Sequence, residues 1–385
     1  MGLRGALRYP SVVVGGFLAL AALSVMNSAY SYVLEAIRGD LALTYTQSGS
    51  MMTAYFMGYA IGQIPWGVLA DKYGSRSSIA LSVLGVSAST VLFGFSQSYA
   101  YAALTRFIAG LLGAGIFVPG VRLVSSWFEP EERGTALGLL SIGGSAGLVA
   151  ASWVIPLSAT SLGWRHPIEV FGLLGLVSSP LIWLLLRGEK DSKSGNVSLS
   201  NMPFKDKRFW ALAFYQFIRL GSYYTFIAWL PLVLREDYGL TLLAVSGAVS
   251  LFNFAGILSN PLGGMVSDRT GQKTVLSLSF IALAVTLTAF TLKPSGLTLY
   301  LTVLSIGWFI NFVRSPVFTA IPRIFGTEAA GSISGIHNTF ASLGALALPF
   351  ALGLIKDTTQ SFTSGWLTIS LLLLSASALV FWLKT

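Results

Sequence analysis

The sequence predicts an all-α membrane protein whose twelve transmembrane helices form two parallel six-helix repeats. Three observations carry that expectation. The composition cannot coat a soluble globule, the apolar stretches have bilayer-spanning length, and the chain matches itself at one fixed offset.

Of 385 residues, 54% are hydrophobic and 10% are charged, against roughly 25% charged in soluble domains. Lipid must therefore solvate most of the chain. A net charge of +9 would suggest a nucleic-acid surface in a soluble protein. Here the cations sit mostly in short loops between apolar stretches, so membrane topology explains them and no nucleic-acid partner is expected. Cysteine is absent, which excludes disulfides, thiolate chemistry and Cys-based metal sites. Neither a metal nor a cofactor is expected. The apolar run after Met1–Pro10 exceeds 20 residues and lacks an A-x-A cleavage site, so it reads as a retained first span rather than a signal peptide.

A bilayer core of about 30 Å needs about 20 apolar residues per helix. By that rule the first six spans lie near 11–33, 47–69, 77–95, 99–127, 134–157 and 168–187. The second six lie near 209–234, 241–263, 274–292, 296–324, 332–355 and 363–383. The fourth and tenth are long and are expected to tilt or project beyond the bilayer. Residues 1–187 make the N-terminal half, 188–208 a polar linker, and 209–385 the C-terminal half. With both termini on one side, that side carries 16 of the 24 basic residues, the other side five, and the spans three. The positive-inside rule then puts the termini and the linker in the cytoplasm, as in a multi-pass protein of the cell membrane.

The self-match has an offset of 197 residues. Gly67-Val-Leu-Ala-Asp71-Lys72-Tyr-Gly74 recurs as Gly264-Met-Val-Ser-Asp268-Arg269-Thr-Gly271. Pro119 matches Pro316, Phe128 matches Phe325, Glu131 matches Glu328, Gly134 matches Gly331 and Gly138 matches Gly335 in the same register. Six helices separate the copies, so both run the same way across the membrane. Parallel repeats of this kind place a substrate site near the midplane at their interface.

The G-x-x-x-D-[RK]-x-G pattern after the second span, completed by Arg76, resembles the hallmark loop of the major facilitator superfamily. Ser75 stands where that loop usually has a basic residue. Asp71 and its copy Asp268 sit at helix ends, where a carboxylate can accept backbone or arginine hydrogen bonds and hold one side shut. Gly67, Asp71, Lys72, Arg76, Asp268 and Arg269 are therefore the gating candidates; a charge cluster that only sets topology is the alternative. A finer resemblance runs from Arg106-Phe-Ile-Ala-Gly110-Leu-Leu-Gly113 through Pro119 to Trp127-Phe128-Glu-Pro-Glu-Glu-Arg133-Gly134. It is similar to the anion:cation symporter branch, as is Arg219, twelve residues before Pro231. That branch often has a first-span arginine and an acid inside the fourth span. Here the first span offers Asn27 and Tyr30, and Gly113–Gly115 holds no acid.

Three arginines fall well inside predicted spans, away from their ends: Arg106 in the fourth, Arg219 in the seventh and Arg314 in the tenth. A cation in hydrocarbon costs several kcal/mol, so each needs a partner or a wet cavity. No carboxylate in the spans is placed to neutralise them, the acids lying in loops or at helix ends with Glu35 and Glu169 nearest, which suggests that the missing anion is the cargo. A guanidinium suits that task because it stays charged and grips a carboxylate by two parallel hydrogen bonds. Arginines that bond carbonyls or snorkel are the structural alternative. Tyr223 lies one turn beyond Arg219 and Asn311 three residues before Arg314, so each pair shares a helix face. Asn27 with Tyr30, Asn253, and His337 with Asn338 complete the candidate ligands; each could equally stitch helices together by hydrogen bonds.

The resemblance and the unpaired arginines together imply a secondary active or facilitative carrier, working as a monomer by alternating access. The implied cargo is a small organic anion: a mono- or dicarboxylate or a sugar acid. A cation or drug–proton antiporter of the same fold would need a cavity acid and a Gly-Pro in the fifth span, and neither is present. Nitrate carriage would need a second-span arginine, also absent. A membrane enzyme needs a nucleophile–base or metal constellation, which two histidines, no cysteine and no buried acid do not supply. A non-transporting sensor would add a soluble domain. No G-x-x-x-x-G-K-[ST] loop is present, so energy must come from gradients or exchange.

Overall fold

The computed structural model describes residues 8–188, 203–325 and 330–379, in which helix dominates and no strand occurs. In chain order the first unit's helices are α1 (Pro10–Ser28), a 3-10 turn (Ala29–Val33), α2 (Leu34–Leu41), α3 (Tyr45–Tyr73), α4 (Ser75–Gly94), α5 (Tyr99–Gly113), α6 (Phe117–Trp127), α7 (Pro130–Leu162) and α8 (Arg165–Leu185). They are followed by α9 (Lys207–Glu236), α10 (Leu242–Thr270), α11 (Gln272–Thr291), α12 (Gly296–Phe312), α13 (Arg314–Phe325), α14 (Ala330–Thr359) and α15 (Phe362–Leu379). Most of the linker expected at 188–208 lies outside the described residues, as does Glu328.

Among the described residues, eleven helical stretches are long and apolar enough to cross a membrane. The remaining expected span is α3, which has the length, 29 residues, but is more polar, with Gln47, Ser48 and Gln63 along it. The protein is thus a multi-pass membrane protein.

The long fourth and tenth spans are not single tilted rods. Each is broken, between α5 and α6 and between α12 and α13. The cause lies three residues on in the second helix of each pair. Pro119 and Pro316 lack an N–H and their rings clash with the carbonyl four residues back, at Gly115 and Phe312. The matched prolines thus sit just after matched breaks in both spans.

Two compact units form, one from Met1–Leu43 with Ala54–Ser194, the other from Thr44–Thr53 with Gly195–Thr385. The first turns of α3 belong to the second unit for a chemical reason. Asp357 of α14 accepts from the backbone N–H of Tyr45 at 3.0 Å and of Thr46 at 2.7 Å, donors that a helix start leaves orphaned. Thr53 Oγ1 adds a bond to the Leu346 carbonyl at 2.7 Å.

The repeat extends beyond the motif. Helix starts pair at the same offset of 197: Pro10 with Lys207, Tyr45 with Leu242, Ser75 with Gln272, Tyr99 with Gly296, Phe117 with Arg314 and Arg165 with Phe362. Gly74 and Gly271 close the two hallmark segments with φ of 82° and 86°, a conformation that costs glycine nothing. Packing repeats as well. In the first unit α1 lies against α7 and α4 against α8; in the second α9 lies against α14 and α11 against α15. A Cβ on Gly110 would collide with the carbonyl of Tyr55, and one on its copy Gly307 with the carbonyl of Phe252, the copy of Tyr55. Small residues that let backbones touch are how helices associate in lipid, where apolar burial between them drives little.

Candidate functional site

The site begins with a side chain that lipid should exclude. Arg219 sits mid-way along α9 and is 5% exposed. Its Nε donates to Oε1 of Gln216, one turn earlier, at 2.9 Å. Among the described residues no carboxylate reaches it, and its two terminal nitrogens have no protein hydrogen-bond partner. Arg314 is the first residue of α13, delivered there by the proline break, and is half-buried. It forms no ion pair among the described residues. The charges of Arg219 and Arg314 repel one another, and both act on the Tyr223 hydroxyl, while Tyr224 also acts on Arg219. Two cations within electrostatic reach of each other repel, a cost that a bound anion would relieve.

Asn311 is engaged by its own helix and by α10. Its amide nitrogen donates to the Gly307 carbonyl of its own helix at 2.9 Å, and the amide lies against Gly256 of α10. Asn253 likewise donates to its own helix, to the Val249 carbonyl at 3.0 Å. His337 is fully buried with Nε2 3.1 Å from the Phe209 carbonyl, pinning α14 to the start of α9. Asn338 is half-buried on the same helix.

In the first unit Arg106, on α5, is 3% exposed and differently placed. Its terminal nitrogens donate to the carbonyls of Met26 at 3.1 Å and Asn27 at 2.6 Å, and to Asn27 Oδ1 at 3.2 Å. Its guanidinium lies 4.5 Å from the centre of the Tyr30 ring and 4.7 Å from that of Tyr55. The last carbonyls of a helix need partners from outside it. Met26 and Asn27 lie in the last turn of α1, where the chain tightens into its 3-10 turn, and Arg106 supplies the donors.

The hallmark segments each place their aspartate in an ion pair. Asp71 pairs with Arg122 of α6, and Asp268 with Arg323 of α13 at 2.9 Å. Both pairs are exposed. The Gln272 side-chain amide lies against Arg323 and, turned so that its oxygen faces the guanidinium, accepts from it at 3.1–3.2 Å. Arg76 turns instead to α8, where its Nε bonds the Trp183 carbonyl at 2.7 Å and the guanidinium covers the indole at 3.8 Å. Lys72 lies over the Tyr73 ring, Arg269 is exposed, and a Cβ on Gly67 would meet open space. Outside the membrane spans, the Asp206 carboxyl at the start of α9 is held below the usual carboxylate range, chiefly by its hydrogen bond to the Arg208 guanidinium. No group of three or more His, Cys, Asp or Glu that could hold a metal occurs among the described residues.

Sequence reasoning missed Gln216, Tyr224, Arg122 and Arg323. Gln216 was legible, since it lies three residues before Arg219 on one helix face. Arg122 and Arg323 read as loop-side cations, and nothing local marked them as partners of aspartates 51 and 55 residues away.

Known proteins resemble the chain over most of its length. A probable galactarate/D-glucarate transporter of Bacillus subtilis (strain 168) is 26% identical over 370 residues, covering 85% of this chain and 81% of that protein. A probable sulfoacetate transporter of Cupriavidus necator is 27% identical over 365 residues, covering 85% and 82%. A nitrite extrusion protein of B. subtilis (strain 168) is 22% identical over 378 residues, covering 96% and 92%. The fold matches the crystal structure of a bacterial homolog to the human lysosomal transporter Spinster with a TM-score of 0.80 at 17% identity, covering 97% of this chain and 96% of that one. The model of the Major Facilitator Superfamily matches residues 13–349 and, again, 212–385, and with two units repeating at one offset the chain belongs to that superfamily.

Proposed function

We propose that this protein carries a small organic anion, a sugar acid or another mono- or dicarboxylate, across the membrane by alternating access of its two halves. The observation that carries the reading is the pair Arg219 and Arg314 in one unit, with no carboxylate among the described residues to neutralise either. A carboxylate of the cargo fits the terminal fork of Arg219, Arg314 adds charge, and Tyr223 and Asn311 set orientation. Arg106, in this reading, holds the first span in shape rather than touching cargo. The Asp71 and Asp268 ion pairs close the side that bears the termini, which the basic loops assign to the cytoplasm. The names of the sugar-acid and sulfoacetate relatives support an organic anion.

The test is the affinity for D-glucarate of purified protein, measured by calorimetry in wild type, Arg219→Lys and Arg219→Gln, with flux into liposomes alongside. Arg219→Lys keeps the charge but loses the fork, and Arg219→Gln loses both, so affinity falls in that order, by roughly tenfold or more in Arg219→Gln. Unchanged affinity in Arg219→Gln, or a preference for cations in wild type, sinks the reading. Nitrite or nitrate exchange is the second reading, favoured by the relatives of that description. Saturable nitrate uptake without D-glucarate uptake would select it.

A further inference from the structure

Gln216 touches the proposed anion ligand and is fully buried. A guanidinium offers a carboxylate two forks: the side edge, made of Nε and one terminal nitrogen, and the end edge, made of both terminal nitrogens. Gln216 Oε1 already takes Nε of Arg219, which closes the side edge and leaves the end edge open. It does so with a neutral amide. A glutamate of the same length would make the same contact and cancel the charge.

A second observation points the same way. The amide nitrogen of Gln216 is buried and has no partner. A buried donor without an acceptor costs stability, and such groups in a folded protein call for an explanation. Glutamate would replace that donor by a carboxylate oxygen and complete an ion pair with Arg219; the chain keeps the neutral amide instead. The ionisable groups acting on Arg219 are Arg314, Tyr223 and Tyr224, none of them a carboxylate.

We propose that Gln216 is a positioning residue for the transported anion: it aims the end edge of Arg219 at a cargo carboxylate while leaving the guanidinium charge unbalanced. The proposal rests on the reading of Arg219 as an anion ligand, and it deepens that reading by fixing the direction of approach.

The full-length protein carrying Gln216→Glu and, separately, Gln216→Met tests it, with D-glucarate as the calorimetric probe and thermal melting as the second readout. Gln216→Glu is expected to melt at or above wild type and yet bind D-glucarate at least roughly tenfold more weakly, because its carboxylate occupies the charge meant for cargo. Gln216→Met frees Arg219 to turn and loses about three- to tenfold. Stability and affinity moving in opposite directions in Gln216→Glu is a result that a packing role does not give. A packing role predicts wild-type affinity in Gln216→Glu, which keeps the hydrogen bond, and that outcome overturns the proposal. Should Gln216→Glu not yield folded protein, wild-type affinity in Gln216→Met overturns it. If Arg219→Gln itself leaves affinity unchanged, the ligand reading has failed; loss in Arg219→Gln beside wild-type binding in Gln216→Glu sinks the positioning role alone.

Discussion

Replacing Arg106 by glutamine separates a structural arginine from a ligand. The side chain donates to two backbone carbonyls and one amide oxygen and lies between two tyrosine rings. Asn27 can turn its amide away, but the carbonyls of Met26 and Asn27 cannot leave the last turn of α1. Each buried acceptor left unpaired costs about 1–3 kcal/mol, and each lost cation–ring contact about 0.5–2 kcal/mol. Removing a buried cation returns a few kcal/mol. The net expectation for Arg106→Gln is a loss of about 2–4 kcal/mol of stability. Arg106→Lys, with a point charge in place of the fork, should fall between the two. Thermal melting of purified protein reads the stability, and D-glucarate affinity is measured on the folded fraction, where it should stay within about threefold of wild type. Arg219→Gln should show the converse, weak binding at near wild-type stability. Wild-type melting of Arg106→Gln together with lost affinity would refute the reasoning and make Arg106 a ligand.

Three further outcomes follow from the geometry. Asp71→Asn and Asp268→Asn each break an exposed ion pair, so stability should change by less than about 1 kcal/mol. Liposome flux should nevertheless drop while D-glucarate affinity holds; unchanged flux would remove the gating role. Gly110→Ala and Gly307→Ala press a methyl into carbonyls that cannot retreat, and each should cost about 1–3 kcal/mol by melting. A large effect at one and none at the other would contradict the repeated close approach. Asp357→Asn weakens the charged acceptor at the start of α3 and should cost about 0.5–2 kcal/mol by the same measurement, with an unchanged melting temperature as the refuting result.

Composition and repeat alone determined much of this protein. A chain that is 10% charged has lipid as its solvent, and apolar stretches of bilayer length mark the spans, α3 being the more polar exception. The offset of 197 fixed the two-unit plan, because residues that pair at that distance, such as Pro119 with Pro316 and Gly110 with Gly307, impose the same break and the same close contact in both copies. The breaks themselves were readable from those prolines but passed as length. Only the tertiary structure shows what each arginine touches. Arg106 and Arg219 look alike in the sequence, each a lone cation in a span without acids. In space, Arg106 meets helix-end carbonyls 79 and 80 residues earlier in the chain, whereas Arg219 meets one neutral amide on its own helix and keeps its terminal nitrogens open. The reason is physical. Which carbonyls a helix end presents, and which side chain arrives to bond them, depends on how distant helices cross, and no local pattern of residues carries that information.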